Sequence, residues 1–118
     1  MKRLGVTLLL ILISGCAVND PVDELLETWR ERDRKNEVLK QEYRVQEVTW
    51  HPEWSDKAKE AVLQGKFILG MTSKQVKVSL GHPEDINKTV GSWGTHEQRV
   101  YSDKYLYFEN GILTAWQD

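Results

Sequence analysis

The chain has 118 residues, 40% of them hydrophobic, which suits one small domain with a modest core. Sixteen Lys and Arg against 18 Asp and Glu give a net charge of −2, which argues against the basic footprint of a nucleic-acid binder. With five Trp, four Tyr and two Phe, much of the core or of a binding surface is aromatic, and a single Cys permits no internal disulfide.

Residues 1–15 read as a leader rather than as part of the fold. Met1-Lys2-Arg3 is a short positive segment, and Leu4 to Ile13 is an almost unbroken apolar run. Ten residues are too few for a stable bilayer anchor, which needs about 20, but they suit the apolar stretch of a signal peptide. Ile13-Ser14-Gly15-Cys16 then places small residues before the chain's sole cysteine. This segment resembles the lipobox of bacterial lipoproteins, which implies that Cys16 is acylated and becomes the mature N-terminus. The plainer alternatives are an ordinary signal sequence or a buried cysteine. Two or three acyl chains would anchor the protein firmly, because one chain binds marginally and a second makes binding stable. Ala17 lacks the Asp that favours the inner membrane, so the resemblance implies the outer membrane, with the domain facing the periplasm. Without Lys2 and Arg3, 14 basic residues remain against 18 acidic, a net charge of −4. The mature domain must then hold together by packing alone in an oxidising compartment.

Residues 16–52 read as a lipidated Cys, a short tether and a long charged helix. Asp20 is placed to accept from free backbone N–H groups, and Pro21 suits the first helical position. Val22, Leu25, Leu26, Trp29, Leu39 and Tyr43 fall near a 3.5-residue spacing, but Arg32 and Asn36 interrupt the seam. A coiled-coil dimer is therefore the weaker reading, and a solvated helix with one apolar stripe docked on its own domain the stronger. The helix must stop before Pro52, which disfavours helical geometry at His51.

Residues 53–118 read as a compact α+β domain. Ser55 opens a helix with Ala58, Ala61 and Val62 on one face, and Gly65 follows its end. Lys66 to Leu69 is a connector expected to carry Phe67 and Ile68 inward. In the stretch GMTSKQVKVSLGHP, Thr72 is an N-cap and Gln75 completes a capping box. Val76 and Leu80 share a face, Gly81 is expected to supply a left-handed stop, and Pro83 forbids resumption. Val76, Val78 and Leu80 also alternate like a strand, but the cap and stop favour a two-turn helix. So short a helix is unstable alone and must be held by packing.

After Pro83 the period becomes two. Strands are expected at Asp85–Val90, His96–Ser102, Lys104–Glu109 and Ile112–Trp116, with Trp93 in the glycine-bounded loop GSWGT. Asn110-Gly111 is a strong two-residue hairpin signal. It predicts that Glu109 faces Ile112, Phe108 faces Leu113, Leu106 faces Ala115 and Tyr105 faces Trp116. Leu106, Phe108, Leu113 and Ala115 would then form the core face. Tyr105, Tyr107, Ile112 and Trp116 would form a second, mostly aromatic face. The fold class is thus α+β: a long N-terminal helix and two short helices packed on a three- to four-stranded antiparallel meander.

No catalytic constellation stands out. His51, His82 and His96 form no i, i+4 pair and no Cys cluster accompanies them, so no metal or cofactor is expected. Ser92 lacks a nucleophile elbow, because the second glycine of Gly91-Ser92-Trp93-Gly94 comes one residue too early. The glycines around Trp93 follow no βαβ unit, so a nucleotide site is not expected either. The reading is a non-enzyme with no small-molecule substrate and no nucleic-acid partner. Trp93, Tyr105, Tyr107 and Trp116 are the candidate partner-binding residues, since Trp and Tyr are favoured interface anchors. Two plainer readings stay open: that the long helix covers the sheet face with Trp29, Leu39 and Tyr43, and that Trp93 tucks into the core.

Gly70-Met71-Thr72, Gln75-Val76, Leu80-Gly81 and Pro83, followed by Val100-Tyr101, Leu106, Phe108 and Asn110-Gly111-Ile112, resemble the SmpA/OmlA (BamE-like) family of outer-membrane lipoproteins. The match covers about residues 57 to 116. The resemblance implies a helix–helix–strands fold and a lipid-anchored scaffold that contacts envelope proteins, with the β-barrel assembly machinery among the candidate partners. Two features depart from the family: the long charged segment from Asp20 to Val48 and the elaborate stretch INKTVGSWGTHEQ. They point to a paralogue or accessory protein. The alternatives are an inhibitor or sensor capping a periplasmic enzyme, and a phage-derived envelope lipoprotein.

Overall fold

The computed structural model describes residues 20–118. The leader, the lipobox, Cys16 and Ala17 lie outside the described residues. The chain divides at Val38/Leu39, and residues from Leu39 to Asp118 form a compact unit.

Helix α1 spans Pro21–Trp50. It has no internal Gly or Pro, and Asp20 Oδ1 accepts from the Val22 N–H at 3.1 Å. The Glu27–Arg30 and Glu31–Arg34 pairs lie one turn apart on its exposed surface. Such pairs contribute a few tenths of a kcal/mol each at most. From Pro21 to Val38 no side chain is buried. The helix ends at Trp50, as Pro52 requires.

Helix α2 spans Asp56–Leu63 and is capped at both ends by side-chain and backbone chemistry written into the sequence. Ser55 Oγ accepts from the Ala58 N–H at 3.2 Å. At the other end the Gly65 N–H donates to Val62 O and the Lys66 N–H to Ala61 O. This is the paired Schellman arrangement. Helix α3 spans Ser73–Leu80, and its capping box is complete. Gln75 N–H donates to Thr72 Oγ1 at 3.1 Å, and Thr72 N–H donates back to Gln75 Oε1 at 2.9 Å.

Four strands follow as an antiparallel meander in the order β1 (Asp85–Gly91), β2 (Gly94–Val100), β3 (Tyr105–Glu109) and β4 (Ile112–Gln117). Asn110 (φ 51°) and Gly111 (φ 81°) both take positive φ, the condition for a type I′ hairpin turn. The break expected between Ser102 and Lys104 is wider, from Tyr101 to Lys104. β2 starts earlier than expected, because Gly91 and Gly94 pair and leave a two-residue turn of Ser92 and Trp93.

The predicted register holds for Glu109–Ile112 and Phe108–Leu113 and then fails. A bulge between Tyr107 and Phe108 leaves Thr114 out of the pairing, so Tyr107 faces Ala115, Leu106 faces Trp116 and Tyr105 faces Gln117. Strand side chains alternate with period two, so one extra residue moves all that follows to the opposite face. Ala115 therefore leaves the expected core face and is exposed, and Trp116 moves to the helix side.

The core joins Ala61 and Val62 of α2, Val76 and Val78 of α3, Met71, Leu106, Phe108 and Leu113. Phe67 and Trp54 pack against it, whereas Ile68, expected inward, is exposed. The two motif stretches of the sequence meet here. Gly70 N–H donates to Leu113 O and Leu113 N–H to Met71 O, both at 2.8 Å, and Ser73 N–H donates to Gly111 O at 2.9 Å. GMT thus extends the free edge of β4 at the Asn-Gly-Ile turn and carries Met71 into the core.

Candidate functional site: the outer face of the sheet

Alternation assigns Leu106, Phe108, Leu113 and Trp116 to the helix side. It places Asn87, Thr89, His96, Gln98, Tyr105, Tyr107, Ala115 and Gln117 on the outer side. This outer face is not mostly aromatic. Its centre is a row of polar side chains, one from each strand, joined in a single direction. Asn87 Nδ2 donates to Gln98 Oε1 (3.0 Å), Gln98 Nε2 to Tyr107 Oη (3.3 Å), and Tyr107 Oη to Gln117 Oε1 (3.0 Å). Every donor in the row faces an acceptor, so each bond polarises the next. An open groove of about 440 Å³ runs along the row, lined by Thr89, His96, Glu109 and Ala115 among others.

The predicted anchors separate on this frame. Trp93 occupies the Ser92–Trp93 turn and is 59% exposed, so it is not core. Its ring lies across Gly91, where an added Cβ would come within 2.0 Å of a ring carbon. It also stands edge-on to His96, with centroids 5.7 Å apart and planes at 79°. Tyr105 is exposed on the same side, in the Asp85–Val100–Tyr105–Gln117 row. Four residues of β2 separate that row from the His96 row, roughly 13 Å of strand. Tyr107 lies between them as a member of the polar row. Trp116 does not belong here: it meets Phe67 on the helix side at 5.6 Å in an edge-to-face contact and stays 49% exposed.

The expected docking stripe of α1 is also corrected. Leu39 and Tyr43 are exposed, and the residues turned to the domain are mostly polar: Gln41, Arg44 and Glu47, with His51 just past the helix end, and Val48 alone packs against the core. Gln41 Nε2 donates to Leu63 O, at the end of α2, at 3.0 Å. Arg44 donates to Ser79 O, in the last turn of α3, through Nε (3.2 Å) and Nη2 (2.9 Å). The helix therefore docks by occupying carbonyls that two short helices leave unpaired. The signal was present as polar residues at i, i+3 and i+7, but apolar periodicity does not register it.

Two other polar groups escape sequence reasoning. Glu47 is 7% exposed; His51 Nε2 is 3.3 Å and Lys74 Nζ 3.7 Å from its Oε2, which lacks a hydrogen bond. The other face of the arrangement is His51 Nδ1 at 2.8 Å from Glu53, with the imidazole stacked on Trp54 at 4.6 Å. A backbone hydrogen bond and then His51 hold the Glu53 carboxyl below the usual range. On the helix side of β2, buried Arg99 pairs with Glu97 (2.7 Å), donates to Ser73 O (3.1 Å) and covers the Phe108 ring at 4.5 Å.

Among the described residues no group of three or more His, Cys, Asp or Glu is arranged to hold a metal ion, and no helix is long and apolar enough to cross a membrane. No protein-family model, curated protein or solved structure shows significant similarity to the chain. The residues themselves thus carry the functional reading.

Proposed function

We propose that this chain is a lipid-anchored outer-membrane protein facing the periplasm. On this reading it is an accessory scaffold of the SmpA/OmlA (BamE-like) type, acting by protein–protein contact in β-barrel assembly or envelope maintenance. The anchor rests on the leader and the Ile13-Ser14-Gly15-Cys16 segment. The succession of two short capped helices and an antiparallel meander agrees with what the resemblance implies.

Trp93 carries the contact reading. A tryptophan at a hairpin tip, set against Gly91 and His96, leaves more than half of its surface open at 59% exposure. It can bury a large rigid surface against a partner with little loss of side-chain freedom. Acylation of Cys16 would confine this tip to the membrane surface and raise its effective concentration for a membrane-embedded partner.

The test places a photo-crosslinking residue at position 93, and separately at 107, in the lipidated protein in living cells. Products at 93 that contain a β-barrel protein or its assembly factors support the scaffold reading. Products that contain a periplasmic hydrolase instead would make the protein an inhibitor or sensor of that enzyme. Position 107, inside the polar row, is expected to crosslink more weakly than 93. Cys16→Ser is expected to move the protein out of the membrane fraction and to abolish the crosslinks at 93. Crosslinks that persist without the anchor would overturn the membrane-confined reading.

A further inference from the structure

A second surface, apart from the sheet face, carries chemistry of its own. Between the C-terminal part of α1 and the last turn of α3 lies a hollow of about 220 Å³. Lys40, Tyr43 and Arg44 line it from α1, Lys77 from α3, and His82 from the connection to β1. No carboxylate lines it, although acidic residues outnumber basic ones in the chain.

The bland account is that these cations cap the end of α3. Magnitudes limit that account. A helix C-terminus is equivalent to roughly half a negative charge. Arg44 alone supplies a full positive charge there and spends its Nε and Nη2 on Ser79 O, with Nη1 on Gln41 Oε1 at 3.1 Å. The helix end is already matched. The Lys77 side chain, on the same turn, makes no hydrogen bond or ion pair with any described residue. Its ammonium is surplus, so the hollow carries one uncompensated positive charge from Lys77.

We infer that this hollow is a binding site for a phosphate-type dianion. Lys77 is its primary charge partner, His82 lies beside it, and Lys40 and the Tyr43 ring form its wall. Arg44 is a positioning residue, fixed by Ser79 and adding field rather than free donors. The volume exceeds the ~30 Å³ share of one water several-fold, so a phosphate group fits with part of its hydration or with a small esterified group. Lys is a suitable partner, because it binds phosphate as a point charge without demanding forked geometry. The phosphate could belong to a soluble ester or to a lipid headgroup. Nothing in the sheet-face reading depends on this site.

The probe is inorganic phosphate, followed by pyrophosphate, titrated at constant ionic strength into the full-length chain in nonionic detergent micelles. Binding is followed by calorimetry and by amide chemical shifts. Saturable binding is expected, with shifts at Lys77 to His82. Lys77→Gln, exposed and without a partner, is expected to weaken binding about tenfold. Lys88→Gln, in the middle of β1, is expected to leave it unchanged. The same micelles doped with phosphatidic acid form the second arm. Lys77-dependent binding there but not to free phosphate assigns the site to a headgroup, and the converse assigns it to a soluble ester. No saturable binding in either arm, or equal losses in Lys77→Gln and Lys88→Gln, would overturn the inference and leave the cations as helix caps.

Discussion

At the scale of single residues, conformation and hydrogen bonding decide several positions that composition would call neutral. Gly81 was expected in the left-handed helical region, but sits at φ 86°, ψ −167°, a region open in practice to glycine alone. The chain leaves α3 extended rather than curled, and Gly81 O is thereby turned to accept from the Tyr101 hydroxyl at 3.0 Å. Gly94 (φ 122°) is required for a different reason, since a Cβ there would lie 2.3 Å from Asn110 Oδ1. That oxygen accepts the Thr95 N–H at 2.9 Å and laces one hairpin to the next. Tyr101 gives a pH prediction. Burial raises its hydroxyl above the usual value of 10.0, against the lowering effect of Arg99. The fold thus prefers the protonated hydroxyl. This contribution is complete below the unfolded pKa of about 10 and is lost as pH rises toward the higher folded value. Tyr101→Phe is expected to lower stability by about 1 kcal/mol at neutral pH and to flatten the alkaline limb of a denaturation series above pH ~10. An unchanged alkaline limb would rule out Tyr101 as its cause.

At the scale of elements, the short helices are defined by their ends. An eight-residue helix has no stability of its own in water. Thr72→Ala removes the capping box and is expected to cost about 1 kcal/mol in chemical denaturation, while Lys57→Ala, exposed in the first turn of α2, costs less. Arg44 joins three helices through Ser79 O and Gln41, so Arg44→Met leaves carbonyls unpaired. About 2–3 kcal/mol of lost stability is expected, more than for the exposed Arg30→Met. The capping signals were legible because each lies within four residues of what it caps. The bulge at Thr114 was not, because neither Thr114 nor its neighbours carry a Gly or Pro that marks an irregularity. The plain register would put Trp116 on the outer face, and this unmarked bulge alone moves it to the helix side. Deleting Thr114 is expected to remove the bulge but keep Tyr107 opposite Ala115 and Leu106 opposite Trp116, so Trp116 stays against Phe67 and its solvent quenching changes little.

At the scale of the whole chain, the stable part is Leu39 to Asp118, where all of the buried hydrophobic residues among those described lie. Residues 21–38 bury no side chain, so this stretch of helix draws on propensity and solvent-screened ion pairs. Its amides are expected to exchange with deuterium orders of magnitude faster than those of β3. Deleting residues 20–38 is expected to shift the melting temperature of the remainder by no more than about 2 °C, as the core is left intact. A larger drop would show that this stretch contributes to the stability of the domain.

Composition, the leader with its sole cysteine, the caps of three helices and the Asn-Gly hairpin are local properties. Each is settled by residues close in sequence, so the chain by itself determined the α+β class, the element order and the Phe108–Leu113 pairing. Partner choice across long separations is a different kind of information. Gln41 and Arg44 find their carbonyls 22 and 35 residues away. The buried Glu47 beside Lys74, the one-way polar row and the cationic hollow at the end of α3 likewise come from distant segments brought together. Polar contacts of this kind leave no hydrophobic period in the sequence, and one unpaired residue reverses a strand's faces. Only the tertiary structure could therefore decide which aromatics face outward and where charge collects.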